Sequence, residues 1–166
     1  MKLEFHPLTA TDEKGIEEMS ALATAIVKEH FDPIIGAAQN DYMIRLFQSA
    51  DSIRRQLEDG ARYYFVCRAG GQAIGFMAFY PKEDKLYLSK FYLCKTERGQ
   101  GLSRQMLDFL IQAAKEENLP AIYLNVNREN DAVYAYKRLG FRKARQEVRN
   151  IGNGFVMDDD VYEYRL

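Results

Sequence analysis

Leu86-Tyr87-Leu88-Ser89-Lys90-Phe91-Tyr92-Leu93 is a nearly unbroken apolar and aromatic run. Such a run reads as a strand covered on both faces rather than a half-exposed one. A polar turn follows at 94–99, and Arg98-Gly99-Gln100-Gly101-Leu102-Ser103 then opens a helix expected to reach about Asn118. Leu102, Met106, Leu107, Leu110, Ala113 and Ala114 recur at spacings of three and four, which makes one buried helical stripe. Two glycines therefore fall where a buried strand turns into a helix. The first turn of a helix carries N–H groups without intrahelical partners and the positive end of the dipole. Glycine lets another group approach that backbone closely, so an anion such as a phosphate is the natural guest.

Gly-x-Gly at such a turn also occurs simply to make the turn. Two common phosphate motifs are excluded: there is no Gly-x-x-x-x-Gly-Lys-Ser/Thr, and no third glycine completes a dinucleotide fingerprint.

Downstream, Ala132-Val133-Tyr134-Ala135-Tyr136-Lys137-Arg138-Leu139-Gly140-Phe141 ends in a Tyr-x-x-Leu-Gly-Phe pattern. With Arg98–Ser103 and Phe91-Tyr92-Leu93 upstream, the segment resembles the GCN5-related N-acetyltransferase (GNAT) family. The family's acyl-CoA signature is Gln/Arg-x-x-Gly-x-Gly/Ala. The resemblance covers residues 86 to 141. Ser103 stands where the signature has Gly or Ala, and Asn130 lies six residues before Tyr136 where members often have seven.

The resemblance implies an α/β fold with a mixed, mostly antiparallel central sheet of about seven strands flanked by helices. It implies acetyl-CoA as cosubstrate and a primary amine as acceptor. Backbone groups of Phe91 and Leu93, with Tyr92 between them, would pair with the pantetheine arm. The pyrophosphate would lie on Arg98, Gly99, Gln100, Gly101, Leu102 and Ser103. Asn130 would cap its helix and touch the pantetheine, or only cap. Tyr136 would be the acid that protonates the departing thiolate, since a tyrosine with a pKa near 10 is protonated at neutral pH; as a residue read alone it is equally a core aromatic. Transfer would be direct, because no nucleophile is suitably placed. Glu83, Glu129 and Asp159 are candidate bases, alongside a water relay.

The composition sets bounds. At 166 residues, 47% apolar and 28% charged, the chain reads as one globular domain, 1–166. A net charge of −1 without a run of Lys and Arg speaks against nucleic acid as partner. No apolar stretch is long enough for a membrane span, and the charged start, Met1-Lys2-Leu3-Glu4, does not read as a signal peptide, so the expected compartment is cytoplasmic. Cys67 and Cys94 read as buried thiols in strands, and His6 and His30 have no neighbouring cluster, so no metal is expected. A homodimer is compatible with the sequence.

Around the central unit, local signals give a strand over 2–8 and a helix capped by Thr11 or Asp12 that runs to about His30 and is broken by Pro33 and Gly36. A second helix is expected over 41–48, and a third over 53–58, capped by Asp51 or Ser52. Strands over 62–68 and 72–79 flank Gly70-Gly71, with Pro81 ending the second. After the central helix come a strand over 121–126, a helix over 131–139 closed by Gly140, and two strands, 141–150 and 155–165, around Gly152-Asn153-Gly154.

The N-terminal helices and the final strands are expected to select the acceptor. Residues 42–47 and 52–60, and the ending 151–159, resemble a bacterial branch described as polyamine or diamine N-acetyltransferases. Aspartate disfavours strands, so Asp158-Asp159-Asp160 reads either as a bulge or solvated turn, or as a negative rim for a polycationic amine. The alternatives are a peptide or protein N-acetyltransferase, and a non-catalytic acyl-CoA-binding domain on the same fold.

Overall fold

The structure, a computed structural model, describes every residue from Met1 to Leu166. In chain order the elements are β1 (Leu3–Leu8), α1 (Glu13–Ile35), α2 (Ala37–Phe47), α3 (Ala50–Glu58), β2 (Arg62–Arg68), β3 (Ala73–Lys82) and β4 (Lys85–Leu93). A short 3-10 turn (Lys95–Glu97) leads to α4 (Leu102–Glu116), β5 (Ala121–Asn127), α5 (Ala132–Leu139), β6 (Arg142–Gly152) and β7 (Phe155–Arg165). The seven strands form one sheet in the order β1-β2-β3-β4-β5-β7-β6. The β4–β5 pair is parallel, while β1–β2, β2–β3, β5–β7 and β6–β7 are antiparallel. The expected mixed, mostly antiparallel seven-stranded architecture is thus the one observed.

The chain divides into two compact units, Met1–Tyr80 with Lys90–Gln105, and Pro81–Ser89 with Met106–Leu166. In the first, α1 and α3 lay Ile16, Met19, Ala23 and Ile53 against Tyr63, Phe76 and Ala78 of β2 and β3. In the second, β7 lies between β5 and β6, and β6 forms an almost wholly exposed edge.

Several boundaries differ from the sequence expectation for physical reasons. Helix α1 continues through Pro33 to Ile35. A proline this close to the C-terminus removes one N–H and its hydrogen bond, and the last turn is held from outside: the Asn40 amide donates to Asp32 (2.8 Å), and Lys28 pairs with both Asp32 and Asp41. Gly36, at φ +85°, ends α1, and α2 starts at Ala37, earlier than expected. The cap of α3 is Ser49, whose hydroxyl accepts from the Ser52 N–H (3.2 Å), rather than Asp51 or Ser52. Strand β3 runs past Pro81; its ladder with β2 has already ended at Arg62↔Phe79, so Pro81 costs that ladder nothing. Finally, β4 is not covered equally on both faces. Leu86, Leu88 and Lys90 are buried, while Tyr87, Ser89 and Phe91 are half-buried. Strand β7 and the α4 stripe follow the sequence closely: Leu102, Met106, Leu107, Leu110 and Ala114 are all buried.

Candidate active site

The end of β4 is shaped by its neighbour. Gly75 lies inside β3, and a Cβ there would collide with the Tyr92 carbonyl oxygen and stand 3.0 Å from Leu93 Cδ2 and 3.2 Å from Leu93 Cα. The Cys94 N–H donates to the Ile74 carbonyl at 2.8 Å. Opposite this point β2 and β3 slip in register, between Val66 and Cys67. The Tyr92 ring packs against Phe76 (5.2 Å between centroids) and Phe31 (6.2 Å), so its side chain belongs to the core. The parallel ladder of β4 and β5 consists of Leu86↔Ile122 and Tyr87↔Tyr123.

The loop after β4 is tied at several points. Arg98 Nε donates to the Leu93 carbonyl (3.1 Å), Gln100 Nε2 donates to the Thr96 carbonyl (3.3 Å), and Glu97 pairs with Arg68 of β2. Gly99 and Gly101 adopt φ +77° and +76°. An L side chain is strained there, although a Cβ at either position would meet nothing within 4 Å. Glycine is therefore required by the backbone path, and the space over the loop is open. The first turn of α4 follows and is anchored by Gln105, whose Oε1 accepts from the Leu3 N–H (2.9 Å) and whose Nε2 donates to the Met1 carbonyl (2.6 Å). A left-handed loop running into a helix N-terminus makes an anion-binding concavity from backbone N–H groups. Ser103, half-buried in that first turn, brings a hydroxyl to it.

In the other unit, Asn130 is buried and its Oδ1 accepts from the Ala132 N–H at 2.9 Å, a capping contact at the start of α5. Tyr136 is half-buried, with its ring edge-on to Phe141 (5.7 Å), which in turn packs on Tyr164 (5.5 Å). Gly140, at φ +110°, closes the helix by returning N–H bonds to the Lys137 and Tyr136 carbonyls. Tyr134 is largely exposed, as its different helix face requires.

Asp158, Asp159 and Asp160 lie within β7, so the bulge or turn expected as one alternative does not occur. Their side chains alternate. Asp159 is 3% exposed and faces Asn125 Nδ2 (3.5 Å), which also approaches Glu147 Oε1 (3.4 Å). Tyr87 donates its hydroxyl to Asn125 Oδ1 at 3.2 Å. Burial pushes the Asp159 carboxyl up from the usual range, opposed by Arg149 and the Asn125 hydrogen bond. Asp158 pairs with Arg128 (3.3 Å) and Asp160 with Lys143 (3.4 Å).

A model of the acetyltransferase (GNAT) domain family matches residues 22–157. The chain belongs to this family. Among curated relatives of the GNAT domain, N-acetyltransferase 8F1 of Mus musculus is 25% identical over 120 residues, 67% of this chain and 54% of the relative. N-acetyltransferase 8 of Rattus norvegicus is 25% identical over 109 residues, 61% of this chain and 49% of its own length. The chain thus spans about half the length of the curated relatives it matches. Among solved structures, the PaiA N-acetyltransferase of Thermoplasma acidophilum in complex with coenzyme A superposes with a TM-score of 0.80 at 17% identity, covering 100% of both chains. A GCN5-related N-acetyltransferase from Rhodopseudomonas palustris gives 0.80 at 13% identity, covering 100% of this chain and 97% of that one. These likenesses establish the fold.

No helix of this GNAT domain is long and apolar enough to cross a membrane, and no group of three or more His, Cys, Asp or Glu side chains is arranged to hold a metal ion. Gly75, which shapes the end of β4, was not singled out in the sequence. It had a signal, an isolated glycine inside an apolar strand, which marks close backbone approach.

Proposed function

We propose that this GNAT domain is an acetyl-CoA-dependent N-acetyltransferase that passes the acetyl group directly to a primary amine of a small molecule. The observation that carries the reading is the open, left-handed Gly99–Gly101 loop entering α4, in a chain of this family. The residues present fit the cosubstrate. Backbone N–H groups of 98–103 would hold the pyrophosphate, Arg98 and Ser103 would add polar contacts, and the backbone of Phe91 and Leu93 would pair with the pantetheine, with Asn130 contributing from the start of α5. The PaiA structure of the same fold holds coenzyme A, which supports this assignment.

In the reaction a neutral amine attacks the thioester carbonyl. A C–N bond forms, the C–S bond breaks, and the thiolate takes the Tyr136 phenolic proton. The proton lost by the amine restores the tyrosine through solvent. For the acceptor we favour a small polycation, such as a polyamine, met in part by Asp158–Asp160. Asp158 and Asp160 support an acidic edge on β7, although the Arg128 and Lys143 pairs must open for them to contribute; Asp159 is buried beside Asn125 and Glu147.

The test is thiol release from acetyl-CoA across polyamines, monoamines, aminoglycosides and peptides, with the acetylated product identified by mass. Amine-dependent release with a 1:1 acetylated amine supports the reading. Tight coenzyme A binding with no acceptor-dependent release across the panel would favour a non-catalytic acyl-CoA-binding domain.

A further inference from the structure

Lys90 follows Leu86 and Leu88 on the buried face of β4 and is itself 6% exposed. Its Nζ donates to the Phe47 carbonyl (2.5 Å), to Gln48 Oε1 (2.9 Å) and to the Tyr63 hydroxyl oxygen, and lies 4.9 Å from the Tyr63 ring centroid. The Tyr63 O–H donates onward to Gln56 Oε1 at 2.6 Å, which fixes its oxygen as an acceptor. Three N–H groups therefore meet three acceptors, and the ammonium form uses all of its donors.

Phe47 is the last residue of α2, so its carbonyl belongs to the negative end of that helix. The final carbonyls are held from α1, α3 and β4. Ser52 of α3 donates to the Leu46 carbonyl (2.5 Å), Lys90 and Gln56 (3.1 Å) to that of Phe47, and Ser20 of α1 to that of Gln48 (2.6 Å). Lys90 is the cap that comes from the sheet. Burying an ammonium group with no carboxylate beside it is costly, and an apolar residue of similar length would fill the same volume without that cost. The strand position is also particular: the next residue, Phe91, begins the stretch assigned to the pantetheine.

We propose that Lys90 is a positioning residue that fastens the α2–α3 junction to β4 immediately before Phe91, so that the helices bordering the acceptor and the strand bearing the cofactor move as one body. The role given to the helices rests on the acetyl-transfer reading, but the fastening itself does not. The anchor is also titratable. Burial pushes the Lys90 ammonium down to about 7, so an opening of the junction that returns Lys90 to water takes up a proton and is disfavoured as the pH rises. From β2 the titratable group facing it is Tyr63, whose own pKa burial raises; Gln48 and the Phe47 carbonyl face it from the junction, and Gln56 of α3 bonds both Tyr63 and the Phe47 carbonyl. Between pH 6 and 9, Lys90 is thus the member of this cluster that changes charge.

The deciding measurement is amide hydrogen exchange over residues 44–56, corrected for intrinsic rates, in wild type, Lys90→Met and Tyr63→Phe. At pH 6 we expect exchange in Lys90→Met to rise about fivefold or more, the equivalent of one net hydrogen bond, and in Tyr63→Phe by less. Wild type should tighten between pH 6 and 8.5, and Lys90→Met should not. In acetyl transfer to spermidine, Lys90→Met should raise the acceptor KM with the coenzyme A Kd unchanged. Unaltered exchange over 44–56 in both variants, or a pH-dependent tightening that persists in Lys90→Met, would overturn the proposal. Exchange as expected with no transfer to any amine would support the anchor and count against the acetyl-transfer reading instead.

Discussion

The Tyr92 carbonyl of β4 occupies the space that a side chain at Gly75 of β3 would need. The course of β4 is therefore set from the neighbouring strand, by the absence of a methyl group. Gly75→Ala should displace Tyr92–Leu93, weaken coenzyme A binding, and cost on the order of 1–3 kcal/mol of stability, as overpacking does. Calorimetry and urea denaturation of the variant check this; unchanged affinity would separate the Gly75 contact from the cofactor site.

Lys90 gives a pH prediction with a definite sign. Its ammonium group titrates at about 7 in the fold and at 10.5 unfolded. Between those values the unfolded chain holds a proton that the folded chain lacks, so this group's contribution to stability rises with pH across the window and is absent below it. The stability of wild type relative to Lys90→Met should therefore climb from pH 7 upward by about 1.4 kcal/mol per pH unit. Urea unfolding at pH 6, 7.5 and 9 measures it, and parallel pH curves would contradict it.

Tyr136→Phe keeps the ring against Phe141 and removes only the hydroxyl. Cofactor affinity should stay as in wild type while kcat falls. General acid catalysis is worth ~10²–10⁴-fold, and a thiolate leaves readily, so the low end applies. Steady-state kinetics against pH decide it: wild-type turnover at every pH would remove Tyr136 from the mechanism.

Neutralising Asp158–Asp160 to Asn should raise the KM for spermidine several-fold, less so at high salt, and should matter less for a monoamine. Asp159→Asn alone carries a stability signature. Burial raises its carboxyl pKa, so the folded state binds the extra proton just above 3.8, and wild-type stability falls as pH rises through that window. The variant should gain on wild type from pH 4 to 7. Equal KM changes for both amines would make the three aspartates part of the strand framework only.

The fold was legible because its decisive signals are local. The α4 stripe, the Gly70-Gly71 and Gly152–Gly154 turns and the Gly140 cap each act within a few residues. The glycine loop was legible too, since its φ values demand glycine. What escaped the sequence depends on partners far along the chain. Lys90 is explained by Phe47, Gln48 and Tyr63, and Gly75 by Tyr92. The Asp158–Asp160 run, unfavourable in isolation, is carried in β7 by Arg128, Asn125 and Lys143 from neighbouring segments.

The most direct test of the central claim is calorimetric titration of coenzyme A into wild type and Gly101→Glu. The substitution places a carboxylate over the loop and an L side chain at φ +76°. Saturable binding to wild type, lost in a variant whose circular dichroism shows the fold intact, is the predicted result. Equal affinity in both proteins would contradict the assignment of the pyrophosphate to Arg98–Ser103.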